Sequence, residues 1–229
     1  DDDTTAGTTH SHATSGDADS ADTTILAPGP HGQAGEQSLV PTRWSIPAVD
    51  DTTGQYLRGT LRNSNTIDKP ELWYNEYMGN RYWVVLSPGR WEFELVEMKS
   101  PGSVWNPQPK TGYYMSSAHE GYEGRTGYVE ETAGAYYAAR LGVLEHLHER
   151  GRQAKALVLR EITDDYWAPV GVWQVREGVR NAFEGEPGVG QTFGETLSAV
   201  SDQLPVSTGA LRRKSELVAG LQSQLSDFG

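Results

Sequence analysis

The sequence predicts an α+β fold in which an antiparallel β meander packs with helices. Two observations predict it. Between residues 72 and 99, three short apolar or alternating segments follow one another and are separated by turn residues. Farther along, residues 133–150 carry apolar side chains at helical spacing, and residues 154–162 form an apolar run. A disordered acidic N-terminal segment is expected before this core, and a helical C-terminal region with a flexible tail is expected after it.

The first 38 residues are predicted to be a disordered linker. They consist mainly of Asp, Thr, Ser, Gly and Ala, with hardly any large apolar side chains. Such a segment buries too little apolar surface to offset the entropy that a chain loses on folding. The ordered α+β core is therefore expected to extend from residue 39 to residue 186.

The first half of the core is expected to be rich in strands. A short helix over residues 50–61 comes first, and residues 72–77 form the first candidate strand. Residues 82–86 are apolar on both faces, which indicates a second strand. Residues 100–127 show no clean period and are expected to be irregular.

A third strand of the meander is predicted by simple alternation. Trp91, Phe93 and Leu95 alternate with Glu92 and Glu94, so that the apolar residues share one face and the acidic residues the other. This pattern is typical of a strand with one solvated face.

The segment around residues 132–162 carries the strongest helix and strand signals. Thr132 is expected to be the N-cap of a long helix, and Gly151 stands where a left-handed C-terminal cap is expected. The following run of residues 154–162 is apolar on both faces, which is typical of a central strand. Near its end, Arg160 and Glu161 must point to opposite faces.

The chain is expected to end in helices. Asp164 and Asp165 form a turn, and Pro169 suits the first turn of a helix whose apolar stripe is Val172, Val175, Val179 and Phe183. Residues 187–221 are predicted to be a helical C-terminal region with two modest helices. Residues 222–229 remain as a tail.

Composition restricts the classes of function. With 31 Asp and Glu against 19 Lys and Arg, the chain of 229 residues has a formal charge of −12. Acidic composition in which arginine outnumbers lysine is typical of proteins adapted to high salt, and an ordinary acidic protein is the alternative. The charge argues against a broad electrostatic grip on nucleic acid, although a local arginine patch is compatible with it. Without cysteine, disulfides, thiolate catalysis and cysteine-bound zinc are excluded within this chain.

No segment is long and apolar enough to span a bilayer, and no signal peptide is visible. A cytoplasmic protein without a membrane partner is therefore the expectation. The chain starts at Asp1 rather than at methionine, which suggests a fragment of a longer protein.

Several long segments resemble one protein family. The residues that carry this resemblance are VPTRWSI (40–46), VDD (49–51), EYMGNR (76–81), PGRWEFELVE (88–97), AGAYYAARL (133–141), VLREI (158–162) and YWAPVGVWQVRE (166–177). They are similar to segments of the archaeal Nre DNA repair proteins, and together they cover the chain from about residue 39 to residue 183.

This resemblance implies a role in the repair of DNA damage and contact with the sliding clamp PCNA through a C-terminal peptide. DNA is the other candidate partner. Members of the family often carry a cysteine cluster near the N-terminus that looks zinc-binding. Because this chain has no cysteine, it is expected to cover only the C-terminal part of such a protein. The resemblance implies no particular reaction and no cofactor.

The C-terminal octet fits a clamp-binding peptide. Gln222, Leu225 and Phe228 have the spacing of its glutamine, aliphatic and first aromatic positions, whereas Gly229 replaces the second aromatic residue. In a 3₁₀ turn, residues i and i+3 project to the same side, so the leucine and phenylalanine can form one apolar plug. The glutamine amide can both donate and accept hydrogen bonds. A chance match in a frayed tail is the alternative.

A second candidate site is a set of charged and aromatic residues within the core. Its members are Arg140, Arg160, Trp173, Arg176 and Arg180, with Glu161 and Glu177 nearby in the sequence. Arginines beside an exposed aromatic residue can hold a phosphate and stack a base. We expect Arg140 and Arg160 to lie close enough to share a carboxylate or a phosphate. The alternative is a buried network of ion pairs without ligand binding.

The acidic pairs allow one further hypothesis. A metal-dependent nuclease requires several carboxylates that converge on two ions about 4 Å apart. The candidate pairs are Asp50 and Asp51, Glu92 and Glu94 with Glu97, and Asp164 and Asp165. A solvated surface or helix capping explains the same residues without metal, so no metal ligands are assigned. A nucleotide- or DNA-acting enzyme therefore stays an alternative to a repair factor.

Overall fold

The computed structural model describes residues 24–27, 38–167 and 170–220. The chain divides into two compact units, Asp1–Thr42 and Arg43–Gly229. In the first unit, β1 (Thr24–Ala27) and β2 (Ser38–Pro41) form an antiparallel pair. β1 is a short strand inside the segment for which the sequence predicts disorder, and the residues on either side of it lie outside the described part.

Apart from a 3₁₀ turn at Pro109–Thr111, the other elements are short strands and helices, most of the strands following one another, so the predicted α+β class is confirmed. They are α1 (Thr42–Leu61), β3 (Asn65–Thr66), β4 (Glu71–Tyr77), β5 (Asn80–Ser87), β6 (Glu92–Lys99), β7 (Tyr114–Glu120), α2 (Ala133–Arg150), β8 (Arg152–Gln153), β9 (Lys155–Ile162), α3 (Trp173–Ala182), β10 (Gly188–Val189), α4 (Phe193–Ser201) and α5 (Thr208–Lys214). Residues 216–220 are also helical. None of the helices in the described ranges is long and apolar enough to cross a membrane.

A mixed sheet of six strands, in the order β10-β4-β5-β9-β6-β7, organises the second unit. β9 runs antiparallel to β5 and parallel to β6. The expected strands exist, but the continuous meander does not, because β9 lies between β5 and β6. β9 is apolar on both faces, and its central position in the sheet buries both of them.

Each face of the sheet is covered by its own apolar core. Val84, Leu95 and Val158 pack beneath α1, α2 and α3, and we call this side the helical face. On the other side, the sheet packs against α4, α5 and the residues that follow them. We call this side the C-terminal face. The two cores follow from the alternation of side chains along each strand.

One prediction about β6 is wrong, because the C-terminal region covers the second face of the sheet. The acidic side of β6 was expected to be solvated, yet Glu94 is completely buried. Its carboxylate accepts hydrogen bonds from Ser215 Oγ (2.6 Å) and from the backbone N–H groups of Glu216 (2.9 Å) and Leu217 (3.0 Å). A polar residue can therefore be buried here because the C-terminal region supplies its donors.

The boundaries of the long helices agree only in part with expectation. Gly151 ends α2 in the left-handed conformation, with φ 59° and ψ 34°, as predicted. Thr132 occupies the N-cap position, but its side chain makes no capping bond, and its backbone is helical rather than extended. Helix α1 begins at Thr42 rather than at residue 50, so Asp50 and Asp51 lie inside the helix and do not cap it.

Two more elements differ from expectation. β7 lies within the stretch that was expected to be irregular, and its buried side chains include Ser116, Ala118 and Glu120. Such small and acidic residues give no apolar alternation that would reveal a strand. The helix expected after Pro169 is α3, with Val175 and Val179 buried, whereas Pro169 itself lies outside the described residues.

Candidate functional site

Arg140 is a buried cross-link between three elements. From α2, its Nη1 atom donates to Glu120 Oε2 of β7 (2.9 Å), and its Nη2 atom donates to Asp51 Oδ1 of α1 (2.6 Å). Glu120 is buried and also accepts a bond of 2.8 Å from the indole N–H of Trp91. Helix α1 passes so close that a Cβ at Gly54 would lie 2.9 Å from Arg140 Nη2. Arg140 therefore holds elements together with charges that compensate one another.

Arg160 is the centre of a second buried network. Its three nitrogens donate to Glu97 Oε1 (2.6 Å), Asn80 Oδ1 (2.9 Å) and Gln174 Oε1 (3.2 Å). The amide of Gln174 also accepts a bond from the Tyr82 hydroxyl (3.0 Å), which ties α3 to the sheet. Arg140 and Arg160 thus have different carboxylate partners and do not share a carboxylate, whereas a shared phosphate stays a prediction.

The remaining members of the predicted arginine set are separated as well. Arg176 pairs with Asp50 of α1, and Arg180 bonds Glu145 (2.6 and 2.7 Å) and Glu177 (2.7 Å). Buried or partly buried ion pairs, the alternative, describe Arg140, Arg160 and Arg176, whereas Arg180 and its partners are partly exposed. Most of the carboxylates in these pairs are not the predicted ones.

Glu161 and Trp173 complete the predicted set. Glu161 points to the opposite face from Arg160, as predicted. There it accepts bonds from Arg81 (3.1 Å) and from the hydroxyl of Tyr113 (2.8 Å). Burial, and after it this bond to Glu161, raises the pKa of Tyr113 to about 12. Trp173 is exposed at the start of α3. A role for Trp173, Arg176 or Arg180 in binding nucleic acid stays a prediction.

The acidic pairs do not converge. Within the described ranges, no group of three or more His, Asp or Glu side chains is placed to hold a metal ion. Glu92 and Glu94 share a face, as predicted, but Glu92 bonds His119 (3.0 Å) and Lys155 (2.7 Å) rather than another carboxylate. Asp164 and Asp165 form the expected turn.

Two of the predicted arginines line cavities: Arg180 lines one beside Glu145, and Arg160 lines another of about 380 Å³ on the helical face. The second cavity holds the more varied set of side chains. The cavity lies where the parallel strands β6 and β9 end and where α2 and α3 begin. Its other lining residues are Glu97, Lys99, Trp105, Glu131, Thr132, Ala133, Ala135, Ile162, Tyr166, Gly171, Val172 and Val175. Sequence reasoning missed Lys99, Trp105 and Thr132, because only the pairing of β6 with β9 brings them to the end of Arg160's strand.

The charges around this cavity are arranged in pairs. Glu97 lies between Arg160 and Lys99, whose Nζ atom is 3.5 Å from Glu97 Oε2. Glu131 accepts a bond of 3.0 Å from Lys214, and this bond holds the pKa of the Glu131 carboxyl below its usual value. Each carboxylate at the cavity therefore has its own cation.

An aromatic pair borders the cavity. The rings of Trp105 and Tyr166 stack with centroids 5.7 Å apart, and the indole N–H donates to the backbone oxygen of Tyr166 (3.1 Å). The Trp105 side chain is partly exposed, whereas Tyr166 is buried. The arrangement offers a fixed, flat apolar surface next to cations.

The predicted clamp-binding residues Gln222, Leu225 and Phe228 lie outside the described residues. The chain immediately before them is well anchored. Leu217 and Val218 are buried in the core of the C-terminal face, next to the residues that Glu94 holds.

Comparison with known proteins places the chain in a family. The family model described as "Archaeal Nre, C-terminal" matches residues 120–228, and the model described as "Archaeal Nre, N-terminal" matches residues 1–106. The chain was expected to match only the C-terminal part of the family, but its residues 1–106 match the N-terminal model as well. No solved structure matches the chain.

Curated relatives agree with the family models. The chain is 62% identical to "DNA repair protein NreA" of Haloferax volcanii over 90% of its own length and 49% of the relative's. It is 40% identical to "DNA repair protein NreA" of Archaeoglobus fulgidus, over 77% of this chain and 44% of the relative. It is 36% identical to "DNA repair protein NreB" of the same organism, over 84% of this chain and 49% of the relative. The chain thus spans about half the length of these relatives, and it belongs to the archaeal Nre family.

Proposed function

We propose that the protein is a DNA repair factor that binds the sliding clamp PCNA through Gln222, Leu225 and Phe228. Its curated relatives are named DNA repair proteins, which supports the first part of this proposal. The spacing of the three residues at the end of the chain carries the second part.

The chain before the peptide supports the same proposal. Glu94 holds the backbone at residues 216 and 217, so the peptide follows directly after an anchored segment. A peptide that emerges from a fixed point on a folded domain can engage a partner while the domain remains intact.

The apolar plug is expected to supply most of the affinity. An aromatic anchor that fills an apolar pocket typically dominates a small interface, and its removal costs about 2 kcal/mol or more. Phe228→Ala should therefore weaken clamp binding at least roughly thirtyfold. Gln222→Ala should weaken it less, because a hydrogen bond to the clamp is exchanged for one to water.

Calorimetry of the full chain against the cognate clamp tests this proposal. The matched control is Gln224→Ala, which alters the same octet outside the three spaced positions and should leave the affinity unchanged. Binding should also persist at high salt, because screening weakens exposed charge pairs rather than apolar burial. Equal affinities of the wild type and Phe228→Ala would show that the spacing is a coincidence.

A further inference from the structure

We propose that the cavity on the helical face binds a single nucleotide, with the phosphate at the starts of α2 and α3 and the base against Trp105. The nucleotide can be free in solution or can be the 5′ end of a DNA strand, since both present the same chemistry. This inference concerns residues that clamp binding does not use, so either proposal can fail without the other.

The position of the cavity favours a ligand. It lies beyond the carboxyl ends of β6 and β9, the parallel pair within the six-stranded sheet. In α/β sheets, ligands bind beyond the carboxyl ends of parallel strands, where the following helices begin. A volume of about 380 Å³ is within the range of small-molecule sites.

Two helix N-termini converge on the cavity. α2 contributes Ala133 and Ala135, and α3 contributes Val172 and Val175. Their starts are in close contact, because a Cβ at Gly134 would lie only 2.4 Å from Val172 Cγ1. Among the described residues, neither start has a side-chain cap, whereas α4 and α5 do. The backbone N–H groups and the positive end of each helix dipole therefore favour an anion in this place.

An independent observation comes from the hydroxyl group of Thr132. Thr132 lines the cavity and is only 5% exposed. Within the described part of the chain, its Oγ1 atom has no hydrogen-bond partner. A buried hydroxyl without a partner costs stability, and buried polar groups of this kind call for a specific explanation. An oxygen of a bound phosphate explains it, because the hydroxyl can donate to that oxygen.

Cations complete the phosphate site. Lys99 and Arg160 both line the cavity, and their shared partner Glu97 neutralises only one of the two positive charges. The guanidinium of Arg160 has five N–H donors, and three of its hydrogen bonds are accounted for within the described residues. Glu131 forms an ion pair with Lys214, and this positive charge offsets the repulsion between Glu131 and an anion.

The rest of the lining suits a base rather than a bare phosphate. Val172, Val175 and Ile162 make an apolar wall, and the partly exposed ring of Trp105 is held in place by Tyr166. Stacking of a base on an aromatic ring contributes about 1–3 kcal/mol and tolerates any base. A phosphate site beside such a surface fits a nucleotide.

Calorimetry with the full chain tests this inference. The ligands are a deoxynucleoside monophosphate, the matching deoxynucleoside and inorganic phosphate. The nucleotide should bind most tightly, and the other two should each bind at least about tenfold more weakly. Failure of the nucleotide to bind at millimolar concentration would overturn the proposal. Equal binding of inorganic phosphate would overturn the assignment of the base.

Two variants test the residues of the phosphate site. Thr132→Val removes the hydroxyl at constant shape, and Lys99→Gln removes a charge. Each should weaken nucleotide binding at least about fivefold to tenfold. Thr132→Val should leave thermal stability intact, because the hydroxyl has no partner in the described residues. Unchanged nucleotide affinity in both variants would overturn the assignment.

A tryptophan pair tests the base site. Trp105→Ala should weaken binding of the nucleotide about tenfold, whereas Trp167→Ala should not weaken it. Both side chains are exposed, at 40% and 74%, but only Trp105 lines the cavity. Equal losses in both variants would contradict the site.

A pair of oligonucleotides separates the two sources of the ligand. If the 5′ end of a strand is the ligand, a 5′-phosphorylated single strand should compete with the mononucleotide, whereas the same strand without the phosphate should not. If the ligand is a free nucleotide, neither strand should displace the bound mononucleotide. Equal competition by the phosphorylated and unphosphorylated strands would contradict a phosphate site.

Discussion

Glu94 and Glu97 lie three residues apart on β6, yet they enter two different environments. Glu97 faces the helical face, where Arg160 and Lys99 supply positive charges. Glu94 faces the C-terminal face, where a hydroxyl and two backbone N–H groups bind its carboxylate. On the helical face, buried charges join elements in pairs. On the C-terminal face, Glu94 instead binds the neutral groups of residues 215–217, which follow α5.

This difference has an energetic consequence. Ion pairs such as Arg140–Glu120 cannot lose one partner without leaving a buried charge uncompensated. The C-terminal face has a smaller apolar core, and burial raises the pKa of the Glu94 carboxyl despite its hydrogen bonds. We therefore expect the helical face to resist unfolding as a unit and the C-terminal face to open more easily.

The largest effect is expected from breaking an ion pair on the helical face. Arg140→Met leaves Glu120 buried without its cation and should lower the free energy of unfolding by about 3–5 kcal/mol. Urea denaturation measures this loss. The control is Arg62→Met, whose partner Glu123 is exposed and whose loss should cost less than about 1 kcal/mol. Similar losses in the two variants would show that burial of the pair does not matter.

A smaller effect is expected on the C-terminal face. In Glu94→Gln, an amide NH₂ group replaces one carboxylate oxygen. This NH₂ group then faces hydrogen-bond donors, where it would need an acceptor. The free energy of unfolding should fall by about 2 kcal/mol, the cost of leaving buried donors unpaired. Glu130→Gln, which neutralises an exposed carboxylate, should change it by less than about 0.5 kcal/mol. A neutral effect of Glu94→Gln would mean that its hydrogen bonds do not hold this face.

The smallest effect concerns the pair between His119 and Glu92 at the edge of the sheet. Their hydrogen bond lowers the pKa of Glu92 to about 2 and raises the pKa of His119. The contribution of Glu92 to stability is present above pH 4.5, the usual pKa of a Glu carboxyl, and is lost as the pH falls through its lowered pKa. The contribution of His119 to stability is present below pH 6.5, the usual pKa of a histidine, and is lost as the pH rises through its raised pKa. The pair should therefore contribute most between these two values.

His119→Gln should accordingly destabilise the protein by about 1 kcal/mol at pH 5.5 and by less at pH 8.5. Urea denaturation at the two pH values measures the difference. A loss that grows with pH would contradict the assigned direction of the His119 shift.

Much of the fold could be predicted because its signals are local. Helix α2 has apolar spacing and a glycine at its end, and β9 has an apolar run, so both were expected. The insertion of β9 between β5 and β6 depends on pairing between residues far apart in the sequence, for which no local pattern exists. β7 was missed because its buried residues are small or acidic.

The candidate site could be predicted only in fragments. The sequence marks Arg140 and Arg160 as charges beside apolar stripes, but it does not show which carboxylates meet them. Lys99, Thr132 and Trp105 carry no motif for ligand binding and come together only through the parallel pairing of β6 with β9 and the position of the start of α2. Glu94 reads as a solvated residue until the C-terminal region covers its face.

Native-state hydrogen exchange of the full chain tests the contrast between the two faces most directly. In the wild type, amides of α4 and α5 should exchange at a lower opening free energy than amides of α2 and β9. Glu94→Gln should accelerate exchange in α5 and at residues 216–218 at least about tenfold, while α2 and β9 keep their protection. Equal acceleration throughout the sheet and both sets of helices would contradict the account, because the two faces would then unfold as one unit.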